Sequence, residues 1–130
     1  MNTPLRVALL GLGTVGSGTF TVLRNNAAEI ERRVGFPIEI KVVADLDTAK
    51  ARLVAGEEVE VSGNAFDVVT RDDIDVVIEL IGGYTIAKQL VLAAIEAGKH
   101  VVTANKALLA VHGDEIFAAA ARKNVMVAFE

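Results

Sequence analysis

The chain has 130 residues and a formal net charge of −4; 52% of its residues are hydrophobic, 5% are aromatic, and it has no cysteine and no tryptophan. That size holds a single core, and the lack of cysteine excludes disulfides, thiolate catalysis and cysteine-ligated zinc. No basic tail or cluster speaks for nucleic acid, no apolar run approaches the roughly 20 residues of a membrane span, and no signal peptide is evident, so a soluble cytoplasmic domain is expected.

Residues 7–10 read as a buried strand, followed at once by Gly11-Leu12-Gly13-Thr14-Val15-Gly16. One long helix is predicted over about 15–33, because Val15, Phe20, Leu23, Ala27 and Ile30 recur at helical spacing until Gly35 and Pro37 stop it. Residues 38–44 form a second strand with Asp45 at its carboxyl end, and a short helix follows near 48–54. The acidic stretch 55–64 reads as loop with at most one weak strand, and 65–70 as a helical turn. A third clear strand, 76–81, is closed by Gly82 and Gly83; a helix over 86–97 ends at Gly98. The fourth strand, 100–104, leads into Asn105 and Lys106, and a helix over about 114–123 and a strand over 125–129 complete the chain. Strands separated by helices predict a parallel sheet with right-handed crossovers, a doubly wound, three-layer α/β/α domain of Rossmann type spanning 1–130. The chain stops at Glu130 directly after an apolar strand, which reads as a domain cut from a longer protein.

A lone G-x-G-x-x-G carries little weight, but this one follows a strand and opens a helix. Gly11 permits the tight turn, Gly13 lets the backbone approach a pyrophosphate, and Gly16 lets the helix pack close to the sheet. The helix start presents free N–H groups and a positive dipole end to phosphate, with the Thr14 hydroxyl beside them. The plainer reading is a β–α turn that happens to use glycine. Asp45 stands where a carboxylate accepts hydrogen bonds from the adenosine ribose. It would repel the additional phosphate of NADP and so favours NAD, whereas Lys50 and Arg52 just downstream are cations suited to that phosphate. The other reading of Asp45 is an N-cap of the next helix.

Ligands of open α/β sheets bind beyond the carboxyl ends of the strands. Gly82 and Gly83 would let a nicotinamide ribose pass close to the backbone, and Thr103, Asn105 and Lys106 gather a hydroxyl, an amide and an ammonium at the next strand end. Lys106 is either a group that binds a substrate oxygen or moves a proton, or a solvated lysine at a helix start. Glu79 is either edge-exposed or a buried, paired carboxylate, and the pattern leaves the choice open. His100 and His112 are too isolated for a metal site, and the alanine run 118–121 is helix packing.

The opening VALLGLGTVG (7–16), VVIELIGG (76–83), KHVVTANKAL (99–108) and the closing AFE (128–130) resemble homoserine dehydrogenase, and the likeness spans essentially the whole chain. That family reduces L-aspartate 4-semialdehyde to L-homoserine with NADPH or NADH, on the route to threonine and methionine. The resemblance implies that Leu12, Thr14 and Val15 join the glycines at the pyrophosphate. It implies that Lys106 lies beside nicotinamide and substrate, and that Glu130 lies near a bound monovalent cation, Na+ or K+. It also implies a later domain carrying the proton-donating lysine, the substrate carboxylates and most of a dimer interface. Ala44 stands where some members have a basic residue, which weakens the case for NADP. Two other functions compete: another dehydrogenase acting on sugars or dihydrodipicolinate, against which the V-T-A-N-K segment argues, and a non-catalytic dinucleotide-sensing module.

Overall fold

The structure, a computed structural model, describes residues 4–35, 37–81 and 85–129, with the backbone alone at Thr14, Val15 and Val34. Its elements are β1 (Leu5–Leu10), α1 (Thr14–Asn25), α2 (Ala27–Val34), β2 (Ile38–Ala44), α3 (Thr48–Ala55), β3 (Glu60–Ser62), α4 (Ala65–Val69), β4 (Val76–Glu79), α5 (Thr85–Glu96), β5 (His100–Thr103), α6 (Lys106–Lys123) and β6 (Val127–Phe129). The strands form one parallel sheet in the order β3-β2-β1-β4-β5-β6. The expected doubly wound α/β fold is therefore what the chain adopts.

Side-chain alternation divides the core into two layers. Leu9 and Val43 face Phe20, Ala51 and Ala55 of α1 and α3. Ala8, Leu10, Val42, Ala44, Val77 and Val101 face the opposite layer, where Val68, Leu90, Ile95 and Ile116 belong to α4, α5 and α6. The sheet is thus covered on both faces, which is why its strands are continuous runs of Val, Ile, Leu and Ala. Each fully buried Val or Leu contributes roughly 1.5–3 kcal/mol against the entropy of ordering the chain. Among the described residues no helix is long and apolar enough to cross a membrane.

The strands expected over 76–81, 100–104 and 125–129 are shorter, at Val76–Glu79, His100–Thr103 and Val127–Phe129, and two helical readings change. The single helix expected over 15–33 is two, because the chain leaves helical geometry at Asn26, with φ −112° and ψ 20°. The Asn26 amide Nδ2 donates to the Val22 carbonyl at 2.9 Å, so a side chain competes for a helical acceptor. The last helix starts eight residues earlier than expected, at Lys106 rather than 114. Asn105 caps it by accepting from Leu108 N at 2.9 Å. Gly113, within the added turns, is a buried position on the packed face of α6. The weak strand in 55–64 is real: β3 pairs with β2 and supplies the sheet's edge.

The amino-terminal rim of the sheet is held by ion pairs. Asp75 accepts from Arg6 Nε and Nη2 at 3.0 Å each and from the Arg6 backbone N–H at 2.8 Å. Arg71 is paired with Asp73 at 2.7 Å and with Glu60 at 2.6 Å. These guanidinium hydrogen bonds hold the Asp75 carboxyl below its ordinary range and push that of Asp73 from 3.8 down to about 2.

Candidate functional site

At the opposite, carboxyl-terminal rim, Ser62, Ala44, Leu10, Glu79, Thr103 and Phe129 stand in one register row across the six strands. Strand order reverses between β1 and β4: one connection runs toward β2, the other toward β5. A ligand crevice is expected outside such a reversal. A cleft of about 630 Å³ opens there, lined by Gly11, Gly13, Asp45, Leu46, Lys50, Asn64, Phe66, Leu80, Ile81 and Ile86 among others.

The glycine turn has the form its spacing requires. Gly11 has φ +94°, and a Cβ there would sit 3.1 Å from the Leu80 carbonyl oxygen. A Cβ on Gly16 would overlap the Gly11 carbonyl oxygen, so the first helix can pack this close only without one. A Cβ on Gly13, by contrast, would meet no atom of the described residues within 4 Å. The packing of the described residues does not demand glycine at that position, and it borders the cleft. Gly18, Gly35 and Gly98 are equally open, so it is the place of Gly13 at the cleft that sets it apart.

Gly13 is also the N-cap of α1, and no side chain caps that helix start. Asp47, Asn64 and Asn105 by contrast cap α3, α4 and α6 with side-chain oxygens. The first-turn N–H groups and the positive end of α1 are therefore offered to an anion. Thr14 and Val15 lie in that first turn and contribute backbone N–H groups.

Asp45 is not the N-cap of the following helix; Asp47 is, accepting from Lys50 N at 3.0 Å. The Asp45 carboxylate instead holds two backbone segments, accepting from Leu12 N at 2.7 Å and from Asp47 N at 2.9 Å. It fixes the glycine loop relative to the end of β2 while remaining part of the cleft wall. Leu12 N–H is thereby committed to Asp45, and the Leu12 side chain is buried in the core beneath. Of the two downstream cations, Lys50 lines the cleft, whereas Arg52 donates to the carbonyls of Gly56 and Val59 at 2.7 Å each and braces the loop after α3.

Glu79 is fully buried, which settles the choice the sequence left open. It accepts from the Thr103 hydroxyl and from Ile81 N, both at 2.8 Å. Thr103 is likewise buried, so its hydroxyl is engaged inside the protein rather than turned to the cleft. Lys106 is exposed at the first position of α6 and is not among the residues lining the cleft. Gly82, Gly83 and Glu130 lie outside the described residues. Among the described residues no group of His, Cys, Asp or Glu is arranged to hold a metal ion.

The cleft also contains residues the sequence reading passed over. Leu46, the residue after Asp45, is 94% exposed, and Phe66 and Ile86 are exposed beside it. They give the cleft an apolar lip suited to a flat aromatic base. Leu46, a large apolar residue in an Asp-Leu-Asp turn, was a sequence signal. Phe66 was not, because its place depends on β3 pairing beyond β2.

A parallel sheet with this strand order, a glycine turn left open at Gly13, an uncapped helix start and a carboxylate at the end of β2 define a nucleotide-binding domain of the NAD(P) type. The model of the homoserine dehydrogenase NAD-binding domain family matches residues 11–130, and the chain belongs to that family. It is 56% identical to homoserine dehydrogenase of Pseudomonas aeruginosa over 98% of its own length, and 54% identical to that of Neisseria gonorrhoeae over 98%. It superposes with a TM-score of 0.93 on a crystal structure of a homoserine dehydrogenase from Thiobacillus denitrificans, at 55% identity, covering 98% of this chain and 30% of that one. The chain spans 29% of the length of the curated relatives just named.

Proposed function

We propose that this chain is the cofactor-holding part of an enzyme that reduces L-aspartate 4-semialdehyde to L-homoserine, with NAD favoured over NADP. The observation that carries the reading is the open Gly13 at an uncapped helix start, beside the reversal of strand order. It is supported by the likeness to homoserine dehydrogenases over nearly the whole chain.

When bound, the nicotinamide supplies the hydride for the aldehyde carbon. The first turn of α1, including the N–H groups of Thr14 and Val15, holds the diphosphate. Asp45 accepts from the adenosine ribose with the lone pairs left over from Leu12 and Asp47, and Leu46 and Phe66 flank the base. Two carboxylates, Asp45 and Asp47, and one ammonium, Lys50, line that end of the cleft. With Arg52 committed elsewhere, this balance disfavours an additional phosphate on the ribose. Gly82 and Gly83 admit the nicotinamide ribose, and Lys106 orients a substrate oxygen beside it. Positioning and electrostatics are the protein's share of such catalysis. In the complete protein, a segment outside this chain supplies the proton donor and most of a homodimer interface, Glu130 contributes to a Na+ or K+ site, and the setting is the cytoplasm.

Calorimetric titration of the chain with NAD(H) and NADP(H) tests the first part, with weak binding expected and NAD the tighter by about tenfold, equivalent to about 1.4 kcal/mol. A folded chain that binds neither sinks the reading. For the second part, the complete protein is expected to turn over aspartate semialdehyde. Turnover of a sugar or dihydrodipicolinate in its place would reassign the substrate.

A further inference from the structure

The proposed cofactor contacts make no use of Glu79, yet it is the fully buried acid of a strand otherwise built from Val and Ile. A buried carboxylate is stable only when donors surround it, and an apolar pair of similar volume would usually pack as well. What an apolar pair cannot do is link two turns. Glu79 accepts from Ile81 N, in the turn after β4, and from the Thr103 hydroxyl at the end of β5. The Thr103 oxygen in turn accepts from Asn105 N at 3.0 Å, and Asn105 Oδ1 accepts from Leu108 N at 2.9 Å, capping α6. The next residue after that cap is Lys106.

The direction of this relay is set by Glu79. Both its carboxyl oxygens accept, one from the Ile81 N–H and the other from the Thr103 hydroxyl, so the Thr103 proton points to it. The Thr103 lone pairs are then left facing the Asn105 N–H. A neutral amide at position 79 cannot reproduce this arrangement in either orientation. With its NH₂ toward Thr103, the hydroxyl proton loses its acceptor; with its NH₂ toward Ile81, two donors face each other.

We propose that Glu79 is a positioning residue that, through Thr103 and Asn105, fixes where α6 begins and hence where Lys106 stands at the reacting end of the cofactor. This rests on the reading of Lys106 given above.

The test uses the complete protein and the variants E79Q, T103V and T103S, which alter the relay with little change in volume. The probes are NAD, ADP-ribose (which lacks the nicotinamide) and aspartate semialdehyde. E79Q and T103V are expected to bind ADP-ribose within about threefold of wild type, while kcat falls by about tenfold or more. T103S, which retains the hydroxyl, is expected to recover most of what T103V loses. Adding T103V to Lys106→Ala is expected to lower kcat by less than twofold, because both changes act through one group. Parallel loss of ADP-ribose affinity and kcat, or full additivity with Lys106→Ala, would overturn the proposal. If the wild type binds NAD but leaves aspartate semialdehyde untouched, the functional reading fails separately. Hydrogen exchange then decides: in E79Q, exchange at Asn105 and Leu108 N–H should rise about tenfold relative to Val77 N–H, and unchanged exchange would refute the relay.

Discussion

The two rims of the sheet handle charge in opposite ways. At the amino-terminal rim carboxylates meet cations: Asp75 with Arg6, and Asp73 and Glu60 with Arg71. At the carboxyl-terminal rim the described partners of Asp45 and Glu79 are neutral donors, backbone N–H groups and one hydroxyl. A carboxylate neutralised by arginine has little left to offer a ligand. One held by N–H groups can fix a loop and still border a ligand cleft, as Asp45 does. The first rim therefore stabilises the domain, and the second shapes the proposed cofactor cleft.

Substitutions that break this contrast should rank accordingly. The largest effect is expected from Gly16→Ala, whose methyl would overlap the Gly11 carbonyl oxygen. Overpacking against backbone should cost about 3 kcal/mol or more in denaturant melts and abolish dinucleotide binding. Its counterpart Gly13→Ala meets no atom of the described residues, so stability should fall by at most about 1 kcal/mol, the difference between glycine and alanine at an N-cap. Affinity for NAD should nevertheless drop more than tenfold by calorimetry, roughly the 1.4 kcal/mol that corresponds to one decade. If both glycine variants bind normally, the cleft is not the cofactor site.

Asp45→Ala comes next. It leaves Leu12 N–H without its acceptor and removes the ribose reader, so a stability loss of about 1–2 kcal/mol should accompany about tenfold weaker NAD binding. Asp75→Asn, at the other rim, should cost about 1–2 kcal/mol by chemical denaturation while leaving NAD affinity within a factor of two. A loss of affinity there would show that the two rims are not independent.

Acid should act mainly through the amino-terminal rim. Asp73 and Asp75 have folded-state pKa values below their unfolded ones, so the stability they provide is present above pH 3.8 and is lost as pH falls toward about 2. Because these groups are partly exposed, the effect should be modest and should shrink in high salt. Thermal melts from pH 5 to pH 2 in Asp73→Asn and the wild type would check this, with the variant showing the flatter dependence. The smallest effect is expected from Leu46→Ser. A side chain 94% exposed should change stability by less than about 0.5 kcal/mol, whereas a few-fold loss of NAD affinity would mark Leu46 as part of the base-binding lip.

Much of this fold was legible in the chain itself. The strand 38–44 has the same bounds in sequence pattern and structure, because Ile38 and Ala44 are bracketed by Pro37 and Asp45. The glycine loop was equally readable, since spacing, preceding strand and following helix all agree. Asn26 and the start of α6 were not. A side chain competing for a helical carbonyl looks like ordinary helix, and the Asn105 cap like any strand end, until neighbours are in place. Within the site, Asp45 was legible as a residue but not in its hold on Leu12, which joins positions 33 residues apart.

Periodicity and glycine spacing, which are local, determined the alternation of strands and helices, the parallel sheet and the glycine turn. Tertiary structure alone decided that Glu79 is buried, that Thr103 serves it, and that Arg52 braces a loop while Lys50 lines the cleft. Each of those outcomes depends on which groups strand register brings within hydrogen-bonding distance. Register is a property of the assembled sheet, and no single strand carries it.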